Sequence, residues 1–247
     1  MKKLILLAII IALISACESA IVQPPENSSF KVTTIKSIVA NFYFIQTDDG
    51  YILVDTGLSN GERKLDKAFS ATGIDPDNVS LIIITHAHKD HSGSVAYAKE
   101  ITGGNVLCHE YAASFIREGE SSRDNAKTPE GELVNAIMPN QGVEPDIVIT
   151  TEFDLSEYGI DGIIIPTPGH SQGSITVILD NGEVILGDLV GEENGHMKLL
   201  TYEDKDVLIQ SLETIASYDV SRIYMSHGES IGYIDNEIFQ ESIESLK

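Results

Sequence analysis

The sequence predicts an α/β domain in which strands stack as a sheet sandwich covered by helices. Three observations carry that prediction. The run VSLIIIT (79–85) is continuously apolar and rich in β-branched residues, as a strand buried on both faces requires. Apolar runs flank the turn triplets Asp48-Asp49-Gly50 and Asp180-Asn181-Gly182, so each half of the chain holds a hairpin signal. Segments 62–73 and 204–219 instead place their apolar residues at helical spacing.

The first 17 residues, MKKLILLAIIIALISAC, stand apart. Two lysines precede an apolar run from Leu4 to Ile14, too short to cross a bilayer and suited to the h-region of a secretory signal. The ending Ile14-Ser15-Ala16-Cys17 resembles a bacterial lipobox. That resemblance implies removal of residues 1–16, lipid on Cys17, and an exported protein held by its N-terminal lipid at the bacterial cell envelope. Residues 17–30, rich in Pro, Ser and Asn, then read as a flexible tether, and the domain proper runs from 31 to 247.

Within that domain, 41–57 reads as two strands around the first turn triplet, and 62–73 as a helix closed by Gly73. The strand 79–85 is followed by a helix from about Gly93 to Ile101, a strand at 105–109 and a helix at 110–118. Residues 119–145 are polar and punctuated, an insertion with one short helix near Glu130 to Ile137; such excursions serve as lids or as tolerated surface loops. Strands resume at 146–150, 162–168, 174–180 and 183–188. The amphipathic helix 204–219 (Val207, Leu208, Leu212 and Ile215 on one side), a strand at 221–228 and a helix at 236–246 complete the chain.

The formal charge is −22, and −24 once Lys2 and Lys3 are removed. A chain this acidic repels a phosphate backbone, which excludes broad nucleic-acid binding and leaves small-molecule substrates open. After cleavage Cys108 is the one cysteine left, so no intramolecular disulfide is available and the core alone must stabilise the domain.

Chemistry collects at the strand ends. An apolar strand runs into His86, His88, Asp90 and His91, and others into His170, Asp188, His227 and Asp55. Packed strands would present these ends along one edge. Imidazoles and carboxylates are ordinary ligands of first-row divalent metals, and a set without thiolates suits a catalytic rather than a closed structural site. His86, His88, Asp90, His91, His170, Asp188 and His227 are more than one tetrahedral ion needs and suit two ions. His109, just past a strand, reads as structural or as standing behind the ligands, and His196 as a solvated loop residue.

The motif HAHKDH (86–91) resembles the H-x-H-x-D-H signature of the metallo-β-lactamase superfamily. TPGHSQGS (167–174), the Gly187-Asp188 pair and MSHG (225–228) resemble that family's later motifs, in the same order. The resemblance implies an αββα four-layer sandwich, with two mixed β-sheets flanked by helices. It further implies His86, His88 and His170 on a first metal, Asp90, His91 and His227 on a second, and Asp188 bridging them. Asp55 in VDTG would orient a ligand imidazole through its other N–H. The cofactors implied are two Zn2+ ions, with iron or manganese as other occupants. The function implied is hydrolysis of an ester, lactone, thioester or amide bond by a metal-bound hydroxide, with Asp90 taking up and returning the proton.

Subfamily features narrow this only in part. Cysteine-liganded zinc β-lactamases would want Cys at Asp188, and the chain stops 20 residues past His227, short of the glutathione-binding region of glyoxalase II. Quorum-quenching lactonases match in size and in all seven ligands but carry a tyrosine where this chain has Gly191. Flavo-diiron proteins replace the second histidine with glutamate, against His88 here. Two alternatives stay open: a mono-iron sulfur dioxygenase-type oxidoreductase of the same fold, and a non-catalytic envelope metal-binding lipoprotein.

Overall fold

The computed structural model describes residues 21–23, 29, 31–37, 39–59, 61–122, 140–194, 196–229, 231–233 and 236–247. The segment 1–16, Cys17 and the helix expected near 130–137 lie outside the described residues.

Two mixed sheets face each other. The first runs in chain order: β1 (Ile21–Val22), β2 (Val32–Ile35), β3 (Phe42–Gln46), β4 (Tyr51–Val54), β5 (Val79–Ile83), β6 (Asn105–His109) and β7 (Ile147–Ile149). Pairing is antiparallel from β1 to β4 and parallel from β4 to β7. Parallel neighbours need crossovers, and helices supply them. These are α1 (Glu62–Thr72) before β5, α2 (Lys89–Ser92) and α3 (Val95–Thr102) before β6, and α4 (Glu110–Glu118) before β7.

The second sheet has the order β15-β14-β11-β10-β9-β8. Its members are β8 (Phe153–Asp154), β9 (Gly162–Pro166), β10 (Ile175–Leu179), β11 (Glu183–Ile185), β14 (Arg222–Tyr224) and β15 (Ile231–Tyr233). A hairpin of β12 (Gly191–Glu193) and β13 (His196–Lys198) leads to α5 (Lys205–Ile215), which crosses back to β14; α6 (Asn236–Leu246) ends the chain.

One correction concerns the tether. Within the stretch 17–30 read as flexible, Ile21–Val22 pairs antiparallel with Ile35 and Thr34 as an edge strand. Ile21 also packs against the core, so its apolar side chain and open backbone groups both find partners on β2.

Apolar side chains form three layers, as four stacked layers of structure require. Leu65, Phe69, Ala98 and Ile116 pack helices on the outer face of the first sheet. Tyr43, Ile52, Leu81, Ile164 and Val177 fill the space between the sheets. Leu208, Leu212, Ile215, Phe239 and Ile243 seat α5 and α6 on the second sheet. Both faces of the first sheet are thus covered, which is why β3 and β4 are apolar runs and not alternating ones.

At the end of the sandwich where β2 and β11 begin, a fully buried carboxylate joins the sheets. Glu183 accepts hydrogen bonds from the Lys31 N–H (2.6 Å), the Val32 N–H (3.2 Å), the Tyr224 hydroxyl (2.6 Å) and the Asn181 amide (2.7 Å). Glu183→Gln keeps the shape but sets an NH2 group against donors, so two hydrogen bonds to a charged acceptor are lost. We expect a loss of about 3 kcal/mol in urea unfolding; a change under about 0.5 kcal/mol would show that the clamp contributes nothing.

Candidate metal centre

Strand direction assembles the site. β4 and β5 are parallel, so Asp55 and the Thr85-His86 pair emerge side by side. In the second sheet β9, β11 and β14 share one direction, since β10 is antiparallel to both β9 and β11 while β11 is parallel to β14. Their ends deliver His170, Asp188 and His227. The Ile175 N–H donates to the Thr85 carbonyl (2.9 Å) and brings the two sheets together at this edge.

The connecting loops are held in place by backbone. The Thr56 N–H donates to the His91 carbonyl (2.7 Å), fastening the turn after β4 to α2. The His170 loop rests on α5: the Gly169 carbonyl accepts from the N–H groups of Glu203 (2.8 Å) and Asp204 (3.0 Å). Gly169 has φ +135°, and a Cβ there would lie 2.3 Å from the Leu208 Cα, so no side chain is tolerated at this approach.

All seven ligand-type residues named from the sequence arrive at this edge, in two overlapping groups. His86, His88, His170 and Asp188 form one; Asp90, His91, Asp188 and His227 form the other; within each group the ligand atoms lie within 4.8 Å of one another. The donors of the first group are His86 Nε2, His88 Nδ1 and His170 Nε2, separated by 2.9, 3.0 and 3.2 Å. Donors around a tetrahedral zinc with Zn–N bonds of about 2.0–2.1 Å stand about 3.3 Å apart, so this triangle is metal-sized.

In the second group, Asp188 Oδ1 lies 3.2 Å from His91 Nε2, and Asp188 Oδ2 3.1 Å from His227 Nε2. Asp90 Oδ2 is 3.4 Å from His227 Nε2. His91 Nε2 and Asp188 Oδ1 are buried, stand 3.2 Å apart, and among the described residues neither has a well-aligned hydrogen-bond partner. Buried polar atoms rarely go unpaired, and a divalent cation between them would satisfy both. The donor set therefore fits metal.

Three of the rings are held from behind. The His91 Nδ1 is 2.8 Å from Asp55 Oδ2, and the His170 Nδ1 is 2.6 Å from the Thr201 carbonyl, which can only accept. The Thr85 hydroxyl donates to Asp55 Oδ2 (2.8 Å) and lies 3.1 Å from the His86 Nδ1, whose proton it accepts. Asp55 thereby steers one histidine of each group, His91 directly and His86 through Thr85. It does so in the left-handed region, φ +61°, which aspartate tolerates better than most residues. Each Nε2 is left to face the centre.

The two groups differ in charge. Burial, with His91, His88 and His170 close by, holds His86 well below the ordinary imidazole value. Burial lowers His88 to about 4 and also lowers His170. These rings are neutral at pH 7 and ready to ligate. Burial also opposes charge on His91 and His227, but carboxylates outweigh it. Asp188, Asp90 and Asp55 raise His91 well above its ordinary value, and hydrogen bonds to Asp188 and Asp90 raise His227 to about 10. Burial works against Asp188, yet His91 and His227 hold it well below the usual carboxylate range, and they lower Asp90 in the same way.

The two remaining described histidines stay outside the centre. His109 caps α4, its Nδ1 accepting from the Tyr111 N–H (3.2 Å), which is a structural role. His196 lies exposed in the β12–β13 hairpin. Cys108 is buried in β6, with its thiol pushed up to about 12 by burial, and is no nucleophile. Sequence reasoning missed Thr85 and the Thr201 carbonyl. Thr85 had a signal, its place directly before His86; a backbone carbonyl has none.

Two helix-flanked mixed sheets with a shared His/Asp centre along one edge define a metalloprotein of αββα architecture. The chain belongs to the metallo-beta-lactamase superfamily, whose sequence model matches residues 38–227. A probable metallo-hydrolase of Methanocaldococcus jannaschii is 30% identical over 189 residues, covering 72% of this chain and 82% of that protein. The probable metallo-hydrolase YybB of Bacillus subtilis is 26% identical over 218 residues, covering 87% and 91%. Among solved structures, a subclass B3 metallo-beta-lactamase of Bradyrhizobium japonicum superposes with TM-score 0.65 at 19% identity over 88% of each chain. That likeness shows the fold.

Proposed function

We propose that this chain is a two-metal hydrolase, with zinc as its metal, that cleaves an ester, lactone, thioester or amide bond in a small molecule. The observation that carries the reading is the pair of four-residue groups sharing Asp188. His86, His88 and His170 would hold one ion, Asp90, His91 and His227 the other, and Asp188 would serve both. Its relatives in Methanocaldococcus jannaschii and Bacillus subtilis, named as probable metallo-hydrolases, support the reaction class. The lipobox-like Cys17 supports a lipid-anchored protein of the cell envelope.

Two divalent ions held there supply Lewis acidity and a water acidic enough to ionise near neutral pH. The chain's own residues decide the rest. His86, His91 and His170 are buried, whereas the side chains of Asp90 and His227 are 23% and 28% exposed, so a substrate meets the centre from the Asp90–His227 side. Asp90 is a carboxylate at neutral pH; its Oδ2 faces His227 and His91, and the partly exposed carboxylate at that opening is placed to accept a proton and to return it to a leaving group. Asp55, Thr85 and the Thr201 carbonyl keep the imidazole protons at Nδ1 and away from the reacting side.

Gly191 weighs against a lactonase-type tyrosine contact. The residue is buried, and a Cβ there would lie 2.9 Å from Leu200 Cδ2 and 3.2 Å from the His227 carbonyl, so a tyrosine has no room without moving the hairpin.

The test is turnover by the zinc-loaded protein on β-lactam, lactone, thioester, ester and phosphodiester substrates, with Asp90→Ala alongside. Turnover of one bond class that falls at least a hundredfold in Asp90→Ala supports the reading. Absence of turnover on every substrate, with metal bound, overturns it; purification with iron would then favour the dioxygenase-type oxidoreductase.

A further inference from the structure

We infer that Asn41 is a positioning residue for His227, and through it for the half of the centre formed with Asp90 and His91. The inference rests on the two-metal reading above. Asn41 lies just before β3 in the first sheet, whereas His227 belongs to the loop after β14 in the second. Asn41 is 4% exposed, and its amide is fully engaged. Its Nδ2 donates to the Met225 carbonyl (3.1 Å) and to the Gly228 carbonyl (3.1 Å), and its Oδ1 accepts from the Ser37 N–H (3.2 Å). Its backbone N–H donates to the Ser226 carbonyl (2.8 Å). One residue thus grips the carbonyls on both sides of His227.

His227 has particular need of this grip. The Nδ1 atoms of His86, His91 and His170 each meet Thr85, Asp55 or the Thr201 carbonyl. For His227 the side-chain contacts among the described residues are at Nε2, to Asp188 (3.1 Å) and to Asp90 (3.4 Å). The ring is therefore placed by its backbone rather than by a partner behind it. The β12–β13 hairpin also holds that backbone, through the Glu192 N–H to the His227 carbonyl (3.0 Å). That hairpin, however, belongs to the same half of the chain as His227. Asp90 and His91 come from the first half, and among the described residues Asn41 is the buried side chain that binds backbone carbonyls on both sides of His227 from that half, next to Tyr43, which meets Ser226. The Lys36–Glu229 ion pair spans the same gap, but Glu229 is exposed, and surface pairs contribute little.

The consequence is selective. Loss of the Asn41 donors lets His227 drift from Asp90 and His91 while the triangle of His86, His88 and His170 stays intact. The test is stepwise titration of the metal-free protein with Zn2+ against a competing chelator. Asn41→Ala and Asn41→Asp are compared with wild type, and Glu183→Gln serves as a control that destabilises the opposite end. Asn41→Asp keeps the volume and the acceptor for Ser37, so it carries the test should the alanine variant fail to fold. Both variants are expected to weaken the second equivalent at least tenfold and to leave the first within about twofold. The control is expected to leave the ratio of the two affinities unchanged. Two equivalents bound by the variants as by wild type, or both weakened equally, overturn the role of Asn41 alone. A wild type that takes one equivalent overturns the two-metal reading and the role together.

Discussion

Asp188→Ala is expected to lower kcat/KM by at least a hundredfold and to reduce the metal bound from two equivalents to one. The two oxygens of Asp188 face different partners: Oδ1 lies 3.2 Å from His91 Nε2, and Oδ2 lies 3.1 Å from His227 Nε2 and 3.7 Å from His170 Nε2. Among the described residues no other belongs to both groups. Without it the first group keeps three imidazoles, enough for one ion. The second keeps Asp90, His91 and His227, with the positive charge that Asp188 offsets now facing an incoming cation. A hundredfold loss corresponds to about 2.7 kcal/mol of transition-state stabilisation, a modest figure for removing a shared ligand. Metal analysis of the purified variant and its kinetics decide the matter. Two equivalents retained with activity within about threefold of wild type would show that Asp188 bridges nothing.

The affinity for the second metal equivalent is expected to rise steeply with pH between about 7 and 9, while that for the first stays nearly flat. Metal ligates neutral imidazole, so a ring that carries a proton must release it on binding. His86, His88 and His170 are lowered by burial, His88 to about 4, and have no proton to release in this range. His91 is raised well above its ordinary value and His227 to about 10. Each proton released adds about tenfold affinity per pH unit, so two protons give up to about a hundredfold per unit. The same shifts fix the sign for the metal-free protein. A raised histidine stabilises the fold fully below its unfolded value near 6.5, and that contribution is lost as pH rises through the folded value, about 10 for His227. Calorimetry in buffers of different ionisation enthalpy measures the protons released at each step. Equal release at both steps would refute the division of charge between the two groups.

Much of the fold was legible because its strong elements carry long, regular patterns. VSLIIIT reads as an interior strand and is one, and the two Gly-containing turn triplets read as hairpins and join antiparallel neighbours. The weaker elements were not legible for a physical reason. β1 and β8 are two residues long and β12, β13 and β15 three, and unlike the equally short β7, β11 and β14 they do not sit in an apolar run long enough to mark a strand. Ile21–Val22 reads as tether until β2 lies beside it, since an edge strand is defined by its neighbour.

The centre divides along the same line. What the sequence determined by itself is the kind and order of the candidate ligands: imidazoles and carboxylates directly after apolar strands, whose ends meet at one edge. Which atoms face one another was decided by tertiary structure. Asp188 reaches both groups because β11 lies between β10 and β14 in the second sheet while that sheet packs against the first. Thr85 mediates between His86 and Asp55 because β4 and β5 run parallel in register. Asn41, 186 positions from His227, gives no local sign of its role. Hydrogen bonds act over about 3 Å, and separation along the chain says nothing about distances that only the packing of two sheets creates.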